Sequence, residues 1–304
     1  MYEAGLTHKK KRMKSVGVSG PMLKYHPHSD ASAYETLSRL AQEDTLLHTL
    51  VDPKGNMGQR TSRDISASAS RYTEMRLSEF AVDMFKGINK NAVQMVDNFD
   101  SSLKQPEVFP VKFPSALVSG SSGIAVGFSS SIPSFNLVDV CNYTINTIND
   151  TESNPLIPDF ATGAKLLFNK EELRFIDTTG TGKVALRANW LFEDNMIVVT
   201  EIPFTTTREA IIDRIVQLVK DGKLKEVADV RDGTDIEGMK IEIELKKNSN
   251  PEMVMARLFK STPLQGNFSC NMNVVHNNKP AKMGVKNIVE AWIDFRRNTV
   301  KKIA

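Results

Sequence analysis

The chain has 304 residues, with 39 Lys and Arg against 36 Asp and Glu and 40% hydrophobic residues. That is a globular composition with room for two domains, and the formal net charge of +3 is far below the surplus of a protein that wraps nucleic acid. The two cysteines, Cys141 and Cys270, lie far apart with no companion at ligand spacing, which excludes a disulfide framework and a cysteine-based zinc site.

No apolar run approaches the ~18 residues of a membrane helix, and residues 1–14 lack the apolar centre of a signal peptide, so a cytoplasmic address is expected. The charge is uneven. Residues 1–76 hold 12 Lys and Arg against 8 Asp and Glu, a net +4, which leaves 27 against 28, a net −1, for the remainder. Lys9, Lys10, Lys11, Arg12 and Lys14 form one short run, which suits either a solvated loop or a phosphate-binding surface.

In chain order, residues 1–6 resemble the last turn of a helix begun earlier. Residues 31–42 read as a helix with Asp30 as N-cap, because Ala33, Leu37, Leu40 and Ala41 share a face. Residues 53–58 and the serine-rich stretch after them carry turn chemistry and are placed on loops. A second helix is expected after Tyr72, where Leu77, Phe80, Ala81, Met84, Phe85 and Ile88 keep the i, i+3, i+4, i+7 rhythm and Gly87 loosens the end.

Beyond Pro110 the pattern turns to mixed α+β. Residues 196–200 form a β-branched run, and Ile241, Ile243 and Leu245 alternate at period two. Ile211, Ile212, Ile215, Leu218 and Val219 predict an amphipathic helix closed by Gly222. A last helix is expected from about Val285 through Ile288, Trp292 and Phe295, with no stop signal before residue 304.

Three stretches carry candidate chemistry. In Lys24-Tyr25-His26-Pro27-His28-Ser29-Asp30, two imidazoles stand at a helix entry where amides can meet a phosphate; a metal site would need more ligands. In Ser70-Arg71-Tyr72-Thr73-Glu74, a phenol with an ordinary pKa of about 10 is a poor nucleophile at neutral pH, and the adjacent Arg71 would stabilise both phenolate and a phosphoryl transition state. A tyrosine at a helix entry is more commonly an interfacial anchor. The third stretch, residues 119–127 with glycines at 120, 123 and 127, exposes Ile124 and suits either a packed backbone corner or an apolar wedge between base pairs. Neither it nor Thr179-Gly180-Thr181-Gly182-Lys183 has P-loop spacing, since Val184 and Asp177 stand where Ser or Thr and the leading Gly are required.

Together these segments resemble the A subunit of bacterial type IIA DNA topoisomerases, the family that unites the gyrase and topoisomerase IV A subunits. The resemblance runs over essentially the whole chain. It rests on residues 1–6, Lys24-Tyr25-His26-Pro27-His28, Leu50-Val51-Asp52 with Gly55-Asn56-Met57-Gly58, Arg71-Tyr72-Thr73-Glu74 and Val96-Asp97-Asn98-Phe99-Asp100. It continues through Gly123-Ile124-Ala125-Val126-Gly127, Ile132-Pro133 with Asn136-Leu137, and Glu201-Ile202-Pro203-Phe204.

The resemblance implies a winged-helix DNA cleavage domain over residues 1–112, a tower domain over 113–284 and the start of a coiled-coil helix over 285–304. It implies that Tyr72 attacks a DNA phosphodiester to form a 5′-phosphotyrosyl link, with Arg71 stabilising the transferring phosphate. His26, His28, Lys24, Ile124 and the lysines Lys9, Lys10 and Lys11 would contact DNA, Ile124 as the wedge that bends the cut duplex. It further implies an A₂B₂ heterotetramer built on a homodimer of A subunits, with no metal site in this chain. Mg²⁺ would be held mainly by the B subunit, which also binds ATP. The positions that line the quinolone pocket in this family correspond to Ala31 and Glu35. Here Ser29-Asp30-Ala31 replaces the usual Gly-Asp-Ser, so a hydroxyl is missing and weakened quinolone sensitivity is expected. Further segments of the family would lie outside residues 1–304, which makes this a piece of a larger protein. The rival reading is a noncatalytic winged-helix DNA-binding fragment or degenerate paralogue.

Overall fold

A computed structural model describes residues 1–303. The first part of the chain carries β1 (Met13–Lys14), α1 (Ser15–Met22), α2 (Asp30–Arg39), β2 (Val51–Lys54), β3 (Glu74–Leu77) and α3 (Glu79–Met84). A 3₁₀ turn (Ile88–Lys90) and the hairpin β4 (Met95–Asp97) and β5 (Lys104–Pro106) follow. Strands β1, β3 and β2 form an antiparallel sheet in that order. Val18 of α1, Leu37 of α2, Val51, Met57 and Met75 close a core over it.

The rest of the chain builds two further cores. The first surrounds α4 (Ser115–Ser119), β6 (Ser121–Ala125), β7 (Phe128–Ile132), α5 (Leu137–Ile148), β8 (Lys165–Leu167), α6 (Lys170–Thr179) and β9 (Thr181–Arg187). The chain then leaves that sheet and forms β10 (Asn189–Glu193), β11 (Met196–Glu201), α7 (Arg208–Lys220), β12 (Val227–Asp232), β13 (Ile241–Leu245) and α8 (Pro251–Ser261). These elements enclose their own core around Ile197, Val199, Ile211, Ile215, Ile241 and Ile243. Strand β14 (Gln265–Asn271) returns to the first sheet and pairs antiparallel with β9, from Gln265 opposite Arg187 to Asn271 opposite Thr181. The hairpin β15 (Asn273–His276) and β16 (Lys279–Lys282) leads into α9 (Val285–Ile303). The two larger sheets run β6-β7-β14-β9-β8 and β10-β11-β13-β12, all pairs antiparallel, so the fold is α+β.

Most sequence expectations hold, with physical reasons visible. Thr207 caps α7 by accepting from the Ala210 amide, Ile211, Ile215 and Leu218 are buried, and Gly222 follows at φ 70°. Strands β11 and β13 lie where the β-branched run and the period-two alternation put them. Helix α9 begins at Val285.

Several expectations are corrected. Helix α2 starts at Asp30, and its N-cap is Ser29, whose hydroxyl accepts from the Ala31 amide; it ends at Arg39 rather than residue 42. The helical rhythm after Tyr72 is only partly used: residues 74–77 pair with β1 and β2 as a strand, and a six-residue helix starts after the Ser78 cap. Ladder hydrogen bonds on both sides of β3 outweigh the local period. Tyr72 therefore precedes a strand, not a helix. Pro53 and Lys54 belong to β2, which tolerates proline because it is an edge strand of its sheet. Residues 1–6, by contrast, have the form expected of a helix's last turn: Gly5, at φ 64°, donates its amide to the Tyr2 carbonyl and Leu6 donates to the Met1 carbonyl, the bond pair of a Schellman cap.

The glycine-rich stretch 119–127 is the β6–β7 hairpin. Gly120 at its base has φ 61°, and a Cβ there would lie 2.9 Å from the Ile132 carbonyl oxygen, so only glycine lets the two arms close. The arms pair Ser121 with Ile132 up to Ala125 with Phe128, and Val126-Gly127 turns the tip. The candidate phosphate cradle at residues 179–183 is used structurally: Gly180 ends α6 with its amide on the Ile176 carbonyl, and its own carbonyl accepts from the Met272 amide.

Candidate active site and nucleic-acid interface

Tyr72 sits on the loop between the 59–65 segment and β3 and is 67% exposed. The backbone on both sides is held. The Tyr72 amide donates to the Ala69 carbonyl at 2.8 Å, the Ser70 carbonyl accepts from Val16 N–H, and the Thr73 carbonyl accepts from Ser15 N–H. The first turn of α1 is thus hydrogen-bonded to the residues flanking the tyrosine, which leaves the phenol outward on a fixed backbone.

Thr73, fully buried, is the hub beneath it. Its hydroxyl lies 2.7 Å from the Ser15 hydroxyl and 2.8 Å from the Tyr34 hydroxyl, and Tyr34 also donates to the Ser68 carbonyl at 2.6 Å. Helix α2 therefore reaches the tyrosine loop through Tyr34. The exposed positions Ala31 and Glu35 belong to the same helix, with Glu35 ion-paired to Arg39 at 2.6 Å. The Arg71 guanidinium lies 4.7 Å over the Tyr72 ring. A cation is thus held against the phenol that sequence reasoning singled out.

His26 and His28 are exposed and pack edge to face, 4.2 Å between centroids. Their turn is anchored from β4–β5: the buried Asn98 donates to the Lys24 carbonyl at 2.8 Å and accepts from the Leu103 amide. Tyr25 donates to Glu3, a bond that raises the phenol above its ordinary range because the neutral form is the donor. Lys9, Lys10 and Lys11 are exposed in a loop tied to β3 by Arg76, which donates to the Lys10 carbonyl at 2.6 Å. Asp52 bridges Arg76 and Arg12, each at 2.6 Å. Burial pushes the Asp52 carboxyl up, but the two guanidiniums outweigh it and hold the group below the usual carboxylate range.

Ile124 lies on a different sheet, near the tip of the β6–β7 hairpin, 95% exposed beside the fully exposed Val126. Two apolar side chains so exposed at a hairpin tip are free to meet another surface.

Among the described residues no group of three or more His, Cys, Asp or Glu is placed to hold a metal ion. No helix among them is long and apolar enough to cross a membrane.

Sequence reasoning missed Ser15, Tyr34, Thr73 and Asn98, which hold the candidate residues, and the polar clamp between residues 59–63 and α7. The only local signal was the hydroxyl that follows Tyr72; the other partners are distant in sequence.

The sequence model of the DNA gyrase/topoisomerase IV A-subunit family matches residues 1–304. The chain belongs to this family. Among its relatives, the DNA gyrase A subunit of Thermotoga maritima is 38% identical over 317 residues, covering 100% of this chain and 39% of that protein. The DNA gyrase A subunit of Clostridium acetobutylicum is 38% identical, covering 99% of the chain and 38% of that protein. That of Streptococcus pneumoniae is 36% identical with the same coverage, 99% and 38%. The chain thus spans about two-fifths of the length of these gyrase relatives.

Proposed function

We propose that this chain is the DNA breakage-reunion part of the A subunit of an ATP-dependent type II topoisomerase, and that Tyr72 is its nucleophile. The observation that carries the reading is an exposed tyrosine on a backbone fixed from both sides, with a guanidinium over its ring. In this reading the Tyr72 phenolic oxygen attacks a backbone phosphorus in line with the 3′ oxygen. The bond to that oxygen breaks, a 5′-phosphotyrosyl ester forms, the phenol proton is released and the 3′ oxygen takes one up. One ester replaces another, so the reverse step reseals the strand without further energy input. Arg71 offsets charge on the transferring phosphate; losing such a group costs about 10²-fold or more in rate. Membership of the family of gyrase and topoisomerase IV A subunits supports this reading over a noncatalytic DNA-binding fragment.

The rest of the assembly follows the family. Residues 1–112 act as a winged-helix cleavage domain, with His26, His28, Lys24, Lys9, Lys10 and Lys11 on double-stranded DNA. Residues 113–284 act as the tower, whose Ile124 enters the base stack and bends the duplex, and 285–304 open a coiled coil. Mg²⁺, which would neutralise charge at the scissile phosphate, is assigned to the B subunit together with ATP on the family resemblance alone. Two A and two B subunits form the working A₂B₂ complex, on chromosomal DNA in the cytoplasm.

The test is a denaturant trap: full-length A subunit, its B subunit, Mg²⁺ and supercoiled DNA. Wild type should give a covalent protein–DNA adduct and Tyr72→Phe none. Absence of adduct in wild type, or equal adduct in both, rejects the catalytic reading.

A further inference from the structure

The loop that leads to Tyr72 is gripped at its far end by α7, a helix about 140 residues later in the chain. Glu209, in the first turn of α7, accepts from the Ser62 hydroxyl and, at 2.9 Å, from the Arg63 amide. The amide of Arg208 donates to the Thr61 carbonyl at 2.9 Å. The Arg208 side chain, 2% exposed, donates to Gln59 Oε1 and to Asp232 Oδ2, each at 3.0 Å. Arg63 adds a 3.3 Å pair with Asp213. On the loop's other flank the Arg60 guanidinium lies 3.7 Å over the Phe204 ring and donates to the Phe204 carbonyl.

From this clamp a series of hydrogen bonds, joined by short stretches of backbone, runs to the tyrosine. The Gln59 amide donates to the Ile65 carbonyl, and the Asn56 side-chain amide to the Ser66 carbonyl. The Ser68 amide donates to the Asn56 carbonyl, while the Ser68 carbonyl takes the Tyr34 hydroxyl. One residue on, the Ala69 carbonyl accepts from the Tyr72 amide. A dozen surface residues without such ties would sample many conformers, and each would have to be frozen at the moment of attack.

We propose that Glu209, seated with Arg208 at the start of α7, is a positioning residue for Tyr72: by holding Ser62 and Arg63 it fixes the loop whose other end presents the phenol. This rests on the reading of Tyr72 as nucleophile for its activity arm only. The buried Arg208 sets where α7 meets Gln59 and Thr61, and Glu209 sets the pitch of the next two residues. The tower-side helix is thereby linked to cleavage with no contact of its own to the reacting phosphate.

The experiment uses the full-length protein with its B subunit, as wild type, Glu209→Ala, Glu209→Gln and Arg257→Ala. The last removes the surface pair between Arg257, on α8, and Glu226, where α8 packs on the same core as α7, and serves as the control for general weakening. Two readouts are taken: hydrogen exchange at the amides of Tyr72 and Val16, and adduct formed at saturating duplex DNA, with duplex affinity measured separately. Glu209→Ala is expected to speed exchange at both amides and to lower adduct on the order of tenfold or more, with duplex affinity changed less than about twofold. Glu209→Gln, which keeps one acceptor, should recover part of both effects, and Arg257→Ala should change neither. The inference is overturned if Glu209→Ala leaves Tyr72 protected and the adduct at wild-type level, if adduct and duplex affinity fall in parallel, or if Arg257→Ala does the same as Glu209→Ala. Should wild type itself form no adduct, the topoisomerase reading fails, while the exchange measurement still decides the link between α7 and Tyr72.

Discussion

The hydroxyls of Tyr34 and Thr73 lie 2.8 Å apart, joining the middle of helix α2 to the residue that follows the exposed Tyr72. Because Thr73 also meets the Ser15 hydroxyl, one buried side chain ties α1, α2 and the tyrosine loop together. Thr73→Val keeps the shape and removes the hydroxyl, leaving the buried Ser15 hydroxyl and the half-buried Tyr34 oxygen each one partner short. The expected loss is about 1–3 kcal/mol, read as a lower urea midpoint with unchanged slope. Adduct formation should fall further than the stability loss alone accounts for.

Acid stability should report the clamp. Burial pushes Glu209 up, but hydrogen bonds from Ser62, Arg63 and the α7 N-terminus take its pKa from 4.5 down to about 2. A carboxylate whose folded pKa is depressed stabilises the fold fully above its unfolded pKa and progressively less as pH falls through the folded one. Its contribution is therefore complete above pH 4.5 and fades between 4.5 and about 2. Glu209→Gln should flatten the stability-against-pH curve in that window; an unchanged curve would show that Glu209 is not held by the loop.

The basic loop should be visible in salt dependence. If Lys9, Lys10 and Lys11 each meet a phosphate, replacing all three with Gln should reduce the slope of log affinity against log salt by about 0.9 per lysine. Affinity at low salt should fall and affinity at high salt should barely change. A slope equal to wild type would leave the three side chains as solvated charges.

Quinolone response should depend on residue 31. Ala31 and Glu35 are exposed on α2, and Glu35 is already engaged by Arg39. Ala31→Ser restores a hydroxyl able to hold a bridging water, an interaction worth about 1 kcal/mol. Inhibitory concentrations in a cleavage-complex assay should then drop roughly fivefold. No change would count against the family's drug pocket lying at these two positions.

What could be read from the sequence followed the range of the forces involved. Period and capping are local, so α7, α9 and the strands around Ile197 and Ile243 were legible. The β3 strand was not, because Leu77 fits a helical rhythm with Phe80 and Ala81 and only the partners Val51 and Met13, remote in sequence, decide otherwise. Ser29 displaced Asp30 as cap by one residue, a choice between two competent side chains that local chemistry does not separate. Tyr72 and Arg71 were conspicuous as chemistry. Thr73, Asn98 and Glu209 were not, since their roles exist only once Tyr34, Lys24 and Ser62 have been brought to them.

Residues 188–264 depart from β9 and return on β14, strands that lie side by side. A segment attached through adjacent strands behaves as a hinged panel, with both attachments on one line. A load applied to it would turn the panel about that line. The clamp from α7 to residues 59–63 is a further attachment and resists such rotation. The same contacts that hold the tyrosine loop therefore stiffen the panel, and loosening them should let loop and panel slacken together.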